Sequence, residues 1–150
     1  MRRPSRRRAV RLILLTAASA LALSAPSRAQ QGAPLAIDGY DPVAYFTQSA
    51  AVRGLPEIEY EWDEYRYRFS RVEHRDLFKA DPARYAPQFA NYCAMSLARG
   101  EIVEANPESW LISDGKLYLF GKSIGPALFN QTLSENVKRA NENRTLIERR

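Results

Sequence analysis

The chain has 150 residues, and its 22 lysines and arginines against 17 acidic residues give a formal charge of +5. Seven of the arginines and none of the acids precede Gln30, so residues 30–150 carry 15 basic and 17 acidic residues, a formal charge of −2. The basic balance belongs to the N-terminal segment and gives no reason to expect a nucleic-acid partner.

Residues 1–29 have the pattern of an export signal. An arginine-rich head precedes the apolar run Leu12 to Leu23, and Ser27-Arg28-Ala29 supplies small residues at the cleavage positions. The run is too short for a bilayer core, which needs about 20 apolar residues. We therefore predict a mature periplasmic or secreted chain that starts near Gln30 and has no transmembrane segment. The general secretory route is favoured, and the loose twin-arginine pattern at Arg6-Arg7-Arg8 leaves export in the folded state as the alternative.

Residues 57–69 are predicted to form a hairpin. Apolar residues alternate first with glutamates and then with arginines, which is the period of two half-buried strands. The glutamates should face the arginines on the wet side of the pair. Asp63-Glu64 is a poor two-residue turn, so a wider loop is expected. The apolar positions are Ile58, Tyr60, Trp62, Tyr65, Tyr67 and Phe69.

Two helix-start signals follow the hairpin. Ser70 with Glu73 fits a capping box, which predicts a helix from Arg71. Asp81-Pro82 predicts a second, short helix that ends near Tyr85.

The C-terminal half predicts a second hairpin and a closing helix. Asp114-Gly115 suits a type I′ turn between two apolar segments. Thr132 to Glu135 is a further capping box, and apolar residues at helical spacing predict one helix over about 132–148. Hairpins mixed with helices indicate an α+β fold, a small antiparallel sheet of hairpins packed with short helices and a C-terminal helix.

His74 and Cys93 are the single histidine and the single cysteine of the chain. Cys93 has no partner for an internal disulfide, and a lone thiol in an oxidising compartment is unusual. With Met95, the one methionine after Gln30, these residues form a candidate site for a soft metal such as Cu(I). The alternative is that Cys93 is a small buried apolar residue and that His74 packs a helix.

Several separate motifs follow one another between residues 37 and 120. They are Asp38 to Phe46 (DGYDPVAYF), Tyr67 to Ser70, His74 to Phe78, Asp81 to Gln88, Tyr92 to Ala94 and Trp110 to Leu119. In this order they resemble the exported YHS domain proteins. The resemblance implies one YHS-type domain over residues 30–150 with its core motif over 37–120. Asp38 and Asp41 in the first motif flank a turn that Gly39 and Pro42 explain, and they are not interpreted as an acid/base pair.

The family has a metal-linked branch, whose members include domains attached to copper-transporting ATPases. That branch carries a Cys-Ser-x-x-Cys run after the aromatic strand end, where this chain has Ser70 and His74. Its Asp-Pro-Val-Cys appears here as Asp41 to Ala44, so the thiolate set is absent. Of the metal-binding positions of that branch, His74 alone keeps a ligand side chain.

The exported branch centres on Gly-Gly-Tyr-Cys-Ala, which appears here as Ala90 to Ala94. Its members are often labelled as possible selenoproteins, which implies selenocysteine at a cysteine position and points to redox or soft-metal chemistry at Cys93. Cys93 is thus also the candidate catalytic residue, and this hypothesis requires an accessible thiol. If the two glycines adopt positive φ, Asn91 tolerates that geometry whereas Ala90 is unsuited to it.

No hydrolase, kinase or nucleotide-binding pattern occurs, so no established enzyme class is predicted. Our first hypothesis is an exported, soluble YHS domain protein that handles a soft metal or a redox ligand at Cys93. The alternative is a non-catalytic protein-interaction module in which Cys93 is buried and structural. The expected partner is accordingly a metal ion or another protein, and exposure of the thiol separates the two hypotheses.

Overall fold

The computed structural model of the protein describes residues 32–149, and the predicted signal over residues 1–29 lies outside this part. The elements confirm the predicted α+β class. No helix in the described part is long and apolar enough to cross a membrane. In chain order, the elements are a 3₁₀ turn at Ala36–Gly39, α1 Ala44–Thr47, β1 Leu55–Trp62, β2 Tyr65–Phe69, α2 Val72–Ala80, α3 Pro82–Tyr85, α4 Ala94–Ala98, β3 Asn106–Ser113, β4 Lys116–Phe120, α5 Gly125–Gln131, α6 Leu133–Glu142 and α7 Thr145–Glu148.

The strands form two antiparallel hairpins, β1 with β2 and β3 with β4, each a two-stranded sheet of its own. Asp114-Gly115 closes the second hairpin at φ 50° and 69°, as its sequence predicts. The wider loop expected in the first hairpin is wrong, because Trp62 pairs directly with Tyr65. Asp63 and Glu64 adopt φ 46° and 68°, the positive values of a turn that matches the twist of the strands. Strand pairing therefore imposes this turn on two residues that do not favour it.

The wet face of the first hairpin carries the predicted charge pairs. Glu59 lies opposite Arg68 and Glu61 opposite Arg66. Arg68 Nε donates to Glu59 Oε1 at 2.7 Å. Such partly exposed pairs each contribute about 0.2–1 kcal/mol, so they reinforce the register that the buried aromatic face sets.

Residues 32–149 form two apolar cores on opposite faces of β4. Side chains alternate along a strand, so Leu117 and Leu119 enter one core while Tyr118 and Phe120 enter the other. The first core is formed by Ala36, Ile37, Tyr40, Val43, Tyr45, Tyr67, Phe69, Phe78, Tyr85, Ala86, Leu117 and Leu119. The second is formed by Phe89, Cys93, Ala94, Leu97, Ala98, Tyr118, Phe120, Phe129 and Ala140.

The helix starts differ from the predictions where a capping side chain has a tertiary partner. The Ser70 capping box is wrong: α2 begins at Val72, its N-cap Arg71 makes no side-chain cap, and the Ser70 hydroxyl donates to Asp41 instead. The start at Asp81 is confirmed, since its side chain accepts from the Arg84 amide at 3.3 Å.

The predicted C-terminal helix is divided into α6 and α7. Asn143 ends α6, and its side-chain amide donates to Leu97 O of α4 at 2.9 Å. The second capping box is also wrong, because Thr132 makes no side-chain cap and Glu135 accepts from Arg139 Nε at 2.8 Å. Beyond the break, Ile147 of α7 and Tyr65 of the first hairpin line a common groove.

Ala90 and Asn91, which the resemblance sets against two glycines, differ in their conformation and contacts. Ala90 adopts φ 49° although it carries a Cβ. Asn91 instead uses its side chain: its Nδ2 donates to Leu35 O at 3.1 Å and its Oδ1 accepts from the Ile37 amide at 2.8 Å. The expectation that alanine does not take this geometry is therefore wrong, because Ala90 adopts positive φ. The steric cost of a Cβ in the left-handed region remains.

Replacing Ala90 with glycine should raise the free energy of unfolding by about 0.5 kcal/mol. The left-handed conformation costs a non-glycine residue about 1–2 kcal/mol, and this relief outweighs the greater chain entropy of glycine, about 0.5–1 kcal/mol. Ala127→Gly, at an exposed position inside α5, is the matched control and should lose about 0.5–1 kcal/mol. Urea denaturation measures both, and equal destabilisation by the two substitutions would contradict the left-handed geometry at position 90.

Candidate functional site

Asp41 lies at a fully buried junction between the segment before α1 and the segment before α2. Its Oδ1 accepts from the amides of Val43 at 2.9 Å and Ala44 at 3.3 Å. An aspartate that takes amides two and three residues ahead forms an Asx-type turn, which here leads directly into α1.

The second carboxylate oxygen of Asp41 makes long-range bonds. Oδ2 accepts from the Ser70 amide at 2.8 Å and from the Ser70 hydroxyl at 2.6 Å. It also lies 2.6 Å from His74 Nδ1, which donates because an ionised carboxylate can only accept. Hydrogen bonds to an ionised group are stronger than those between neutral groups. The Asp41 side chain thus joins the start of α1, the segment after β2 and α2.

The other ring nitrogen of His74 points towards α1. Thr47 Oγ1 lies 3.1 Å from His74 Nε2 and 3.1 Å from Val43 O. The His74 side chain is 5% exposed and Asp41 is 0% exposed, whereas Thr47 is on the surface. Because both imidazole nitrogens are engaged, a metal ion at His74 would have to displace Asp41 or Thr47.

Three positions that the resemblance sets against cysteines of the metal-linked YHS branch meet at this carboxylate. Position 44 donates its amide, and Ser70 and His74 donate their side chains. The sequence analysis explained Asp41 as a turn residue and missed this convergence. One sequence signal could have found it: Ser70 and His74 are four residues apart, a spacing that brings side chains together at the start of a helix. Asp41 belongs to the first of the motifs that carry the resemblance, and Ser70 and His74 belong to the two motifs that follow it.

Cys93 is buried, at 5% exposure, in the second core. It is the N-cap of α4: its Sγ accepts from the Ser96 amide at 3.4 Å, and its own amide donates to Val103 O at 2.8 Å. The accessible thiol that the redox hypothesis requires is therefore not what the structure shows.

The structure brings Cys93 and Met95 together but places His74 in another region. Met95 packs against the second core with Cys93, whereas Phe78 of the His74 helix belongs to the first core. Between residues 32 and 149, no group of three or more histidine, cysteine, aspartate or glutamate side chains is arranged to hold a metal ion. The site of His74, Cys93 and Met95 stays a prediction.

A groove of about 530 Å³ opens between the end of the first hairpin, the segment 86–92 and α7. Burial raises the pKa of Tyr65, and the neighbouring Tyr92, Glu64 and Asp63 raise it further. Burial also raises the pKa of Tyr67, with Asp63 as the next cause. Phenol hydroxyls and carboxylates therefore lie close together in a groove whose size is within the range of small-molecule sites, about 300–1,000 Å³.

Comparisons with protein-family models, with curated proteins and with solved structures find no match. The function must therefore be argued from the site, since a fold class alone does not specify chemistry.

Asp41→Asn should lower the free energy of unfolding by about 3 kcal/mol, because a buried donor left without its acceptor costs about 1–3 kcal/mol and more when the acceptor is charged. The amide nitrogen of asparagine would face the Ser70 and His74 donors, so one of these buried groups loses its acceptor. Asp76→Asn is the control: its side chain is 59% exposed and pairs with Arg75, so the change should stay below about 1 kcal/mol. Denaturant unfolding followed by circular dichroism measures both, and equal small losses would show that Asp41 does not join the three segments.

Proposed function

We propose that the protein is an exported YHS domain protein that acts by binding and that Cys93 is a structural residue. The observation that carries this proposal is the position of the thiol, which is buried in the second core and caps α4. Cys93 does not line the groove, although its neighbour Tyr92 does. The groove and the thiol are thus separate features, and binding at the groove needs no chemistry at sulfur.

The groove itself supports binding more than catalysis. Its described lining presents aromatic, phenol, carboxylate and guanidinium groups, and neither His74 nor Cys93 is part of it. Nucleophilic catalysis requires a nucleophile and a base within hydrogen-bonding reach of each other. Here the imidazole is bonded to Asp41 and Thr47 while the sulfur accepts an amide of its own helix.

Family membership and export are parts of the same proposal. The convergence of positions 44, 70 and 74 on Asp41 supports the resemblance, because motifs far apart in the chain then serve one local structure. The basic head, the short apolar run and the small residues before Gln30 support export.

A buried Cys93 should react with iodoacetamide at least about 100-fold more slowly in the native protein than in the unfolded chain, because labelling then requires local opening. Ser134→Cys in a Cys93→Ala background is the control, since position 134 is exposed on α6. That thiol should be labelled at similar rates in both states. Native labelling of Cys93 as fast as this control would overturn its structural role.

The thiol hypothesis remains a second candidate because of one contact. The Ser96 amide donates to Cys93 Sγ at 3.4 Å at the start of α4, so the sulfur already acts as an acceptor there. On this hypothesis, the reduced protein should bind Cu(I) against a competing chelator and lose affinity in Cys93→Ser and in His74→Ala. Unchanged affinity in both variants would remove the three-residue site.

A further inference from the structure

The groove has an aromatic wall with the chemistry that attracts cations. Trp62, Tyr65 and Tyr92 are half-buried and line it, so part of each side chain reaches the open space. The faces of such rings carry negative electrostatic potential, and an ammonium group within about 6 Å of a ring centroid is attracted to it.

Charge around the groove favours the same class of ligand. Asp63 and Glu64 in the hairpin turn and Glu148 at the end of α7 are exposed carboxylates in its lining. Arg144 is the one lysine or arginine among the described lining residues. The carboxylates therefore outnumber the cation by three to one.

Arg144 is already engaged by the protein. Its Cζ lies 5.2 Å from the centroid of the Phe89 ring, and its Nη2 donates to Asn141 Oδ1 at 3.2 Å. The guanidinium thus occupies one ring of the groove, which shows that this wall accommodates a cation. Among the described residues, no lysine or arginine lies over the rings of Trp62, Tyr65 or Tyr92.

We propose that the groove binds an organic cation of the substituted-ammonium class, an inference that rests on the proposed binding function. Its methyl groups would pack on Trp62, Tyr65 and Tyr92 while its charge faces Asp63 and Glu64. A neutral ligand would gain no Coulomb attraction from these carboxylates, and an anion would be repelled by them. A small metal ion is a poorer fit, because no group of three or more histidine, cysteine, aspartate or glutamate side chains in the described part of the chain is arranged to hold one.

The test compares choline with 3,3-dimethylbutan-1-ol, a neutral alcohol of almost the same shape. Calorimetric titration should give at least about tenfold tighter binding of choline, because the two probes differ in charge alone. In proton NMR spectra, choline should shift the indole signal of Trp62, whereas Trp110 in the second hairpin serves as an internal reference.

Two matched pairs of variants localise the effect. Asp63→Asn should weaken choline binding at least about threefold, since asparagine removes the charge but still tolerates positive φ. Asp114→Asn, at the equivalent turn position of the other hairpin, should leave it unchanged. Tyr92→Phe should retain choline binding because it keeps the ring, and Tyr92→Leu should lose it.

Equal binding of choline and the neutral alcohol at Trp62 would overturn the cation inference while leaving the groove a binding site. Failure of both probes to shift Trp62 would also overturn it. The proposed function fails on a separate observation, rapid labelling of Cys93 in the native state, so the two outcomes are distinguishable.

Discussion

The Asp41 carboxylate is the interaction on which the arrangement of the first core depends. Burying a charge is expensive unless hydrogen bonds replace its hydration. Five donor contacts do so, from Val43, Ala44, Ser70 (two) and His74. The carboxylate thereby fixes where α1 begins and how α2 leaves β2, which are parts of the chain that hydrophobic packing alone would position less specifically.

The segment from Pro87 to Cys93 connects this first core to the rest of the molecule. Gln88 donates its amide to Leu117 O at 2.9 Å, and Cys93 donates to Val103 O at 2.8 Å. Between them, Asn91 bonds to Leu35 and Ile37 through its side chain. These bonds hold Phe89, Ala90 and Tyr92 along one wall of the groove. The residues around Cys93 therefore shape the groove wall, while the thiol itself lies outside it.

Local patterns predicted the hairpins because strand pairing and turn chemistry are themselves local. The Glu59–Arg68 register and the Asp114-Gly115 turn illustrate this. The failure of the Ser70 cap could not be predicted, because in a capping box its hydroxyl would accept from the Glu73 amide, whereas here it donates to a buried carboxylate 29 residues away. The position of Cys93 was identified from its motif, but its burial depends on Tyr118, Phe120 and Phe129. The groove requires α7, whose placement follows from the break at Asn143.

The resemblance to the metal-linked branch gives the Asp41 cluster a physical interpretation. The resemblance sets Ala44, Ser70 and His74 against cysteines in three segments of that branch. In this chain the same three segments are joined by a carboxylate with amide, hydroxyl and imidazole donors. Hydrogen bonds to a buried charge supply directional cross-links in place of coordination bonds. Because both imidazole nitrogens are engaged in that cross-link, the binding proposed for the groove would use aromatic and acidic side chains that the cross-link does not involve.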